Sequence, residues 1–345
     1  MSSPPPSSAS PAAVTPTATV TPTATVTPSA TVTPSATVTR RRAVAALAGG
    51  LGGTLLAGGC GVRLEEGAPR IPFVPTREPV PAERVLIDLE SASRTLAEQA
   101  SSLGGDLGPV LAPLHVAQAD LVRETLLHGG LPSKDLKPPA SPSAPGSAAE
   151  LARAEVADVS PPHRLAPASP QVRPSLLALA AQRYAAATLL TGSEPDVGPD
   201  PDAGATRLPL PSSAGSLYVE LLRARYLFQV VAARSADSQR DRAVEASTVL
   251  ALWAERTRAM LTTVPEPPLG YPLPMAVPDG AAAAQLATQV CVDLLAAHGR
   301  VLPEATTGSA PAVETSFDRF TRWIGQAVVL AHDWGVALSA FPGLE

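Results

Sequence analysis

Apolar side chains recur at helical spacing along two long stretches of this chain, separated by segments dense in proline and glycine. Residues 82–103 carry Val85, Leu86, Leu89, Leu96 and Leu103 on one face, and Gly104-Gly105 breaks the pattern. Residues 109–128 follow with Leu111, Leu114, Leu121, Val122 and Leu126, closed by Gly129-Gly130. Pro109 and Pro113 fall near the start of that helix, where a missing amide costs least. Residues 131–173, rich in Pro, Ala and Ser, predict a linker with at most a short helix around Ala148–Val156. Residues 174–191 make a third long helix on Leu176, Leu177, Leu179, Tyr184, Leu189 and Leu190, and residues 192–213 form a second linker. Four further amphipathic stretches then run over about 215–234, 237–262, 279–301 and 311–340. Helices of this length, in that number, meet the requirement of a four-helix bundle over 214–340. No credible alternating strand run interrupts them, so the fold class expected is all-α.

Composition sharpens that expectation. Apolar residues make up 45% of the 345 but aromatics only 3%, so alanine and leucine must supply the core. That favours packed helices over a sheet built on β-branched and aromatic residues. The net charge of −5 is uneven: residues 1–60 hold no Asp or Glu and three arginines, leaving 23 basic against 31 acidic residues beyond them. A body of net −8 has no electrostatic reason to seek nucleic acid. Two cysteines, Cys60 and Cys291, do not make a disulfide framework.

The amino terminus has a separate logic. Residues 14–39 repeat a six-residue Val-Thr-Pro-(Thr/Ser)-Ala-Thr unit without charge, which predicts a disordered tail over 1–39. Arg40-Arg41-Arg42 and the uncharged run Ala43–Gly59 follow, with six glycines among seventeen residues. That is too short and too weakly apolar for a membrane-spanning helix, and it has the order of a signal peptide over 40–59. The arginines resemble a twin-arginine export signal; the general secretory route also fits. The run ends Leu56-Ala57-Gly58-Gly59-Cys60, which resembles the bacterial lipobox, with Ala57 where leucine is usual. The resemblance implies lipidation of Cys60 and attachment to the outer face of the cytoplasmic membrane. Pro69, Pro72, Pro75, Pro79 and Pro81 then give an extended tether over 60–81.

A second resemblance lies in the carboxyl-terminal half. The segment Gly270-Tyr271-Pro272-Leu273-Pro274-Met275-Ala276-Val277-Pro278-Asp279, preceded by Arg256-Thr257-Arg258 and followed by an Ala-rich helix, resembles an actinobacterial ferritin-like domain family of unknown function. The resemblance covers about 125 residues, most specifically through Tyr-x-Leu-Pro-x-x-Val. It implies a ferritin-like four-helix bundle near the end of an exported protein and assigns no activity. The family's first helix carries Glu followed by His, whereas here Glu220 is followed by Leu221.

The chemistry such a fold can host is incompletely represented. A ferritin-like di-iron centre takes a Glu from each of two helices and Glu-x-x-His from each of the other two, a spacing that puts carboxylate and imidazole on one face. No Glu-x-x-His occurs. Asp293 and His298 are five apart and diverge by about 140° around the helix, and His332 and Asp333 by about 100°. No cofactor is therefore expected. The alternative is a metal- or ligand-binding bundle, a degenerate di-iron oxidase with iron or another transition metal held by Glu220, Glu255, Asp293, His298 and His332. Glu124 and His128 share a helix face as a solvated pair, and His115 is expected to be a partly buried structural histidine. Cys291, among Val290, Val292 and Leu294, is expected to be an inert core thiol, and Trp253, Trp334 and Trp323 sit at core spacing. No nucleophile elbow, P-loop, His-Glu-x-x-His or Cys-x-x-Cys occurs. The expectation is an exported lipoprotein held in the bilayer through Cys60, with a non-enzymatic scaffold or binding module whose partner is an envelope protein or small ligand.

Overall fold

Glycines close the helices of this chain where the sequence places them, and the packing that results joins both helical groups into one core. The computed structural model describes residues 77–136, 147–203 and 209–344, all within the unit Ile71–Glu345. The repeat tail, the export signal with Arg40, Arg41 and Arg42, Cys60, and the tether up to residue 76 lie outside the described residues. Every regular element among the described residues is helical: α1 (Glu83–Ser102), α2 (Leu107–His128), α3 (Ala148–Ala157), α4 (Arg173–Thr191), α5 (Ala214–Arg234), α6 (Asp237–Arg258), α7 (Gly280–Ala305) and α8 (Ala310–Asp333), with 3-10 turns at Ser133–Asp135 and Pro162–Leu165.

α1 and α2 form a close antiparallel pair. The turn between them turns on Gly105 at φ +94°, and a methyl group on Gly108 would stand 2.5 Å from the Ala100 carbonyl oxygen, so only glycine permits this approach. α2 ends in a glycine cap: Gly130, at φ +83°, donates to the Leu127 carbonyl and Leu131 to that of Leu126. The end of the expected tether is already docked. Arg77 grips Glu83 through two bonds of 2.5 and 2.7 Å, and the Val80 amide donates to the same carboxylate.

α4 is the central helix, with every residue from Leu176 to Ala187 buried. A helix apolar on nearly all sides belongs inside. α3 covers one flank and α8 the other. The α8 contact is possible because position 325 is glycine: a methyl there would run into the Tyr184 ring and come within 3.1 Å of the Ala181 carbonyl. α5 packs on α6 and α7, and α7 on α8, which completes a carboxyl-terminal helical bundle. One hydrophobic cluster runs from Leu86 and Val122 through α4 to Phe228, Leu286, Phe320 and Trp334, so the upstream helices and the bundle share a core. α7 is long and apolar enough to cross a membrane by length and composition, but its apolar positions Leu286, Val290, Leu294 and Val301 are buried within this cluster.

Four helix ends differ from the sequence reading. α6 stops at Arg258 rather than near residue 262, and beyond it the Met260 carbonyl accepts from the Leu210 amide instead of continuing the helix. α8 stops at Asp333 rather than near residue 340, because Gly335 takes φ +80° and the Gly335 and Val336 amides cap His332 and Ala331. The apolar pattern that continues to Leu338 belongs to an irregular tail. α7 runs past residue 301 to Ala305 and accommodates Pro303 in its last turn. α2 begins at Leu107, which puts Pro113 in its second turn rather than its first. Side-chain caps open α7 and α3: Asp279 accepts from the Ala282 amide at 2.9 Å and Ser147 from the Glu150 amide at 3.3 Å.

Candidate functional site

α6 presents Arg242, Ala246, Val249, Leu252, Trp253 and Arg256 along one face, at helical spacing, toward α8 and the end of α4. The two helices do not close on one another there, and a groove of about 610 Å³ runs between them. From Arg242 to Arg256 it follows α6 for about 21 Å, at 1.5 Å per residue. Its floor is apolar, with Val329 and Leu330 of α8 facing Val249 and Leu252. Leu252 is 60% exposed, an unusual state for a leucine in a helix that faces its own core elsewhere.

The two ends differ chemically. At one, the Arg242 guanidinium lies 4.9 Å from the Trp334 ring centroid and donates to the Asp333 carbonyl at 3.1 Å. Trp334 is fixed from behind by Phe228, 5.3 Å away and tilted. Burial raises the Asp333 carboxyl above its ordinary range, with His332 and Arg242 opposing. At the other end, Tyr184 reaches out of α4. Its residue is fully buried, and its hydroxyl, beside Glu194 and Gln326, closes no hydrogen bond of full geometry. Burial first, then the Glu194 charge, push that hydroxyl up, so it stays protonated and can only gain a partner by donating or accepting as a neutral phenol. Gln326 uses its amide nitrogen on Glu194 at 2.7 Å, which leaves its carbonyl oxygen buried and without a partner. Arg256 stands at the same end, half-buried, with no hydrogen bond or ion pair among the described residues.

A second polar constellation is sealed inside α1–α4. His115 and Glu155 meet at 2.9 Å, both fully buried. The other ring nitrogen of His115 faces the Gln118 carbonyl oxygen at 3.3 Å, which also accepts from Arg183 at 3.2 Å. Arg183 donates further to the Ser93 hydroxyl, and Gln118 to Gln182 and to the Ala340 carbonyl of the tail. Burial depresses Arg183 from its ordinary value while Glu155 and Asp158 oppose. Ser93, His115, Gln118, Glu155, Gln182 and Arg183 are all fully buried, so the network positions helices rather than meeting a ligand. His115 was expected to be partly buried; it is wholly buried because α3 lays Glu155 over it.

The five side chains of the metal alternative are not gathered at one point. Glu220 on α5 and Asp293 on α7 do face each other, but Arg223 lies between them, 2.7 Å from the first and 3.0 Å from the second. Burial raises Glu220, and Arg223 opposes that shift. Glu255 points outward, 64% exposed, and pairs with Arg258. His298 is buried, its Nδ1 held by the Leu294 carbonyl at 2.9 Å, and desolvation lowers it to about 4. His332 is half-buried near the α8 terminus. Among the described residues no group of three or more His, Cys, Asp or Glu side chains stands in metal-holding geometry. Cys291 is buried and its thiol is pushed up to about 12 by desolvation. Glu124 and His128 stand 4.0 Å apart on the surface.

The residues that define the groove carried little signal in the sequence. Trp253 and Trp334 sat at core spacing and Tyr184 counted as an α4 core residue. What sets them apart is the third dimension: α4 ends beside α8, and α6 stands away from both. The one trace was the mixture of Arg242, Glu245 and Arg256 with Val249 and Leu252 on a single face of α6.

Residues 219–345 match the family model described as a domain of unknown function, DUF4439, and the chain is similar to that family over this stretch. No curated protein and no solved structure matches the chain.

Proposed function

We propose that this chain is an exported lipoprotein, held at the outer face of the cytoplasmic membrane through Cys60, whose helical body is a non-enzymatic binding module with a ferritin-like bundle. The groove between α6 and α8 is its ligand site. The observation that carries this reading is the groove itself: about 610 Å³, an apolar floor, and polar groups gathered at both ends. Small-molecule sites fall between about 300 and 1,000 Å³ and combine an apolar lining with a few convergent polar groups. Four helices with a long connection between the second and third support the ferritin-like comparison. Leu56-Ala57-Gly58-Gly59-Cys60 supports the anchor.

The metal alternative retains one specific pair, Glu220 and Asp293, across α5 and α7. A cation there would have to displace Arg223 and draw further ligands from elsewhere.

The test takes the full chain expressed in a bacterium that processes lipoproteins, beside Cys60→Ala. Metabolic labelling with an alkyne fatty acid should mark the parent and not the variant, and only the parent should remain with membranes. Native mass spectrometry of the released Cys60→Ala protein should show a co-purifying small molecule that Leu252→Glu loses. A soluble, unlabelled parent sinks the anchor. Mass and occupancy indifferent to Leu252→Glu sink the groove.

A further inference from the structure

We infer that the groove takes a long-chain carboxylate, its head on the Arg256 guanidinium and its apolar chain laid along α6 and α8 toward Arg242. This rests on the groove being the ligand site and adds the chemical class of the ligand.

The head follows from the cation of the groove that the fold leaves unpaired. Among the described residues Arg256 is half-buried and makes no hydrogen bond or ion pair. A guanidinium is always charged and carries its donors in a fork that matches a carboxylate. The acids that could meet it are engaged elsewhere. Glu255, its neighbour in sequence, is turned to solvent and accepts from Arg258 at 3.0 Å. Glu194 accepts from Gln326 at 2.7 Å and lies against the Tyr184 hydroxyl. On its inner side Arg256 borders a cavity of about 10 Å³ with Trp253, Thr257, His298 and Gln326, and no acid lines it. That cavity has room for one water at most, so a counter-charge reaches Arg256 only from the groove. The opposite end offers an anion nothing. Arg242 already donates to the Asp333 carbonyl and lies over the Trp334 ring, with the Glu245 and Asp333 carboxyls close by.

The chain follows from the floor. Trp253, Leu252, Val249 and Ala246 lead away from Arg256 on α6, with Leu330 and Val329 of α8 opposite and no charge before Glu245. From Arg256 to Glu245 the helix rises about 16 Å, at 1.5 Å per residue. A chain seated there covers Leu252, which is otherwise 60% exposed. Each methylene buried on this floor should tighten binding by up to about fourfold.

The experiment is calorimetric titration of the Cys60→Ala protein at neutral pH with decanoate, octanoate, decanol and decyltrimethylammonium, each below its micelle or solubility limit. Decanoate should bind about tenfold or more tighter than decanol or the ammonium, and about tenfold tighter than octanoate. Arg256→Met, which keeps an aliphatic stem, should cost decanoate about tenfold and leave decanol within about twofold. Leu252→Ser, neutral and at an exposed position, should weaken decanoate and decanol alike. Decanoate no tighter than decanol, preference for the ammonium, or Arg256→Met without effect on decanoate overturns the carboxylate assignment. A chain-length dependence sensitive to Leu252→Ser would then still support the groove. Absence of binding by every compound, or binding indifferent to both chain length and Leu252→Ser, overturns the groove reading itself and this inference with it.

Discussion

A methyl group on Gly299 has no space to occupy. Position 299 lies inside α7, where replacing glycine by alanine normally stabilises a helix by about 1 kcal/mol. Here the added carbon would run into the Gly343 carbonyl oxygen and sit 2.5 Å from its carbonyl carbon and 2.9 Å from its Cα. All three are backbone atoms, and Gly343 itself is held at φ +84° against the Leu295 carbonyl, so no rotamer change relieves the contact. Either the tail bends in place, at the roughly 1–3 kcal/mol of an overpacked core, or it leaves. Leaving exposes the half-buried Leu338 and Phe341, about 2–3 kcal/mol together, and breaks the Gln118 bond to Ala340, about 1 kcal/mol. The cheaper route sets the cost, so Gly299→Ala should destabilise by up to about 2 kcal/mol net of its helix gain. The decisive measurement is urea unfolding of this variant in two backgrounds, the whole body and a chain ending at residue 335. In the shortened chain the sign should reverse, and the same substitution should stabilise by about 1 kcal/mol. Destabilisation of equal size in both backgrounds, or stabilisation in both, would refute the reasoning.

Other substitutions read other parts of the fold. His298 is lowered to about 4 in the folded chain from 6.5, so the unfolded state binds the proton first. Stability should be full above about pH 6.5 and fall as pH drops toward 4, by about 3 kcal/mol in all; His298→Leu should flatten that part of the profile, and an unchanged slope would contradict it. Cys291, its thiol pushed up to about 12, should resist a disulfide reagent at pH 8 in the Cys60→Ala chain until denaturant is added.

The helices were legible because their signals are local. Gly104-Gly105, Gly129-Gly130 and Asp279 act within one turn, and the structure uses each as the pattern required. α8 was overrun to residue 340 because Leu338 continues the apolar period. One glycine at 335 decides the matter, and a single glycine in a helical pattern is a weak sign on its own. The packing was not legible. Burial of Arg183, Gln118 and Glu155 depends on α3 packing on α4 so that Glu155 reaches His115 of α2, which no spacing within any one helix encodes. Likewise Glu220 and Asp293 are single carboxylates on separate helices; that an arginine would fall between them could not be read from either. The groove needs three elements, and only their relative placement brings Tyr184, Glu194 and Gln326 together at one end.

That placement has a consequence for the family-matched region. Residues 219–345 contain α6, α7 and α8, hence both long walls of the groove, but Tyr184, Thr188 and Glu194 lie upstream. The same upstream helix covers the α8 face around Gly325 and Phe320. α4 is in turn held by α3 and by the Arg183, Gln118 and Ser93 bonds to α1 and α2. A fragment of residues 209–345 therefore keeps the walls, loses the polar end, and bares a row of aromatic and aliphatic side chains that are buried in the whole body. It should elute as oligomers or aggregate at concentrations where residues 77–345 remain monodisperse, and adding a separately expressed segment 77–203 should restore a compact species. A monodisperse fragment 209–345 with the thermal stability of the whole body would show that α4 is an accessory. It would place the ligand end on α6 and α8 alone.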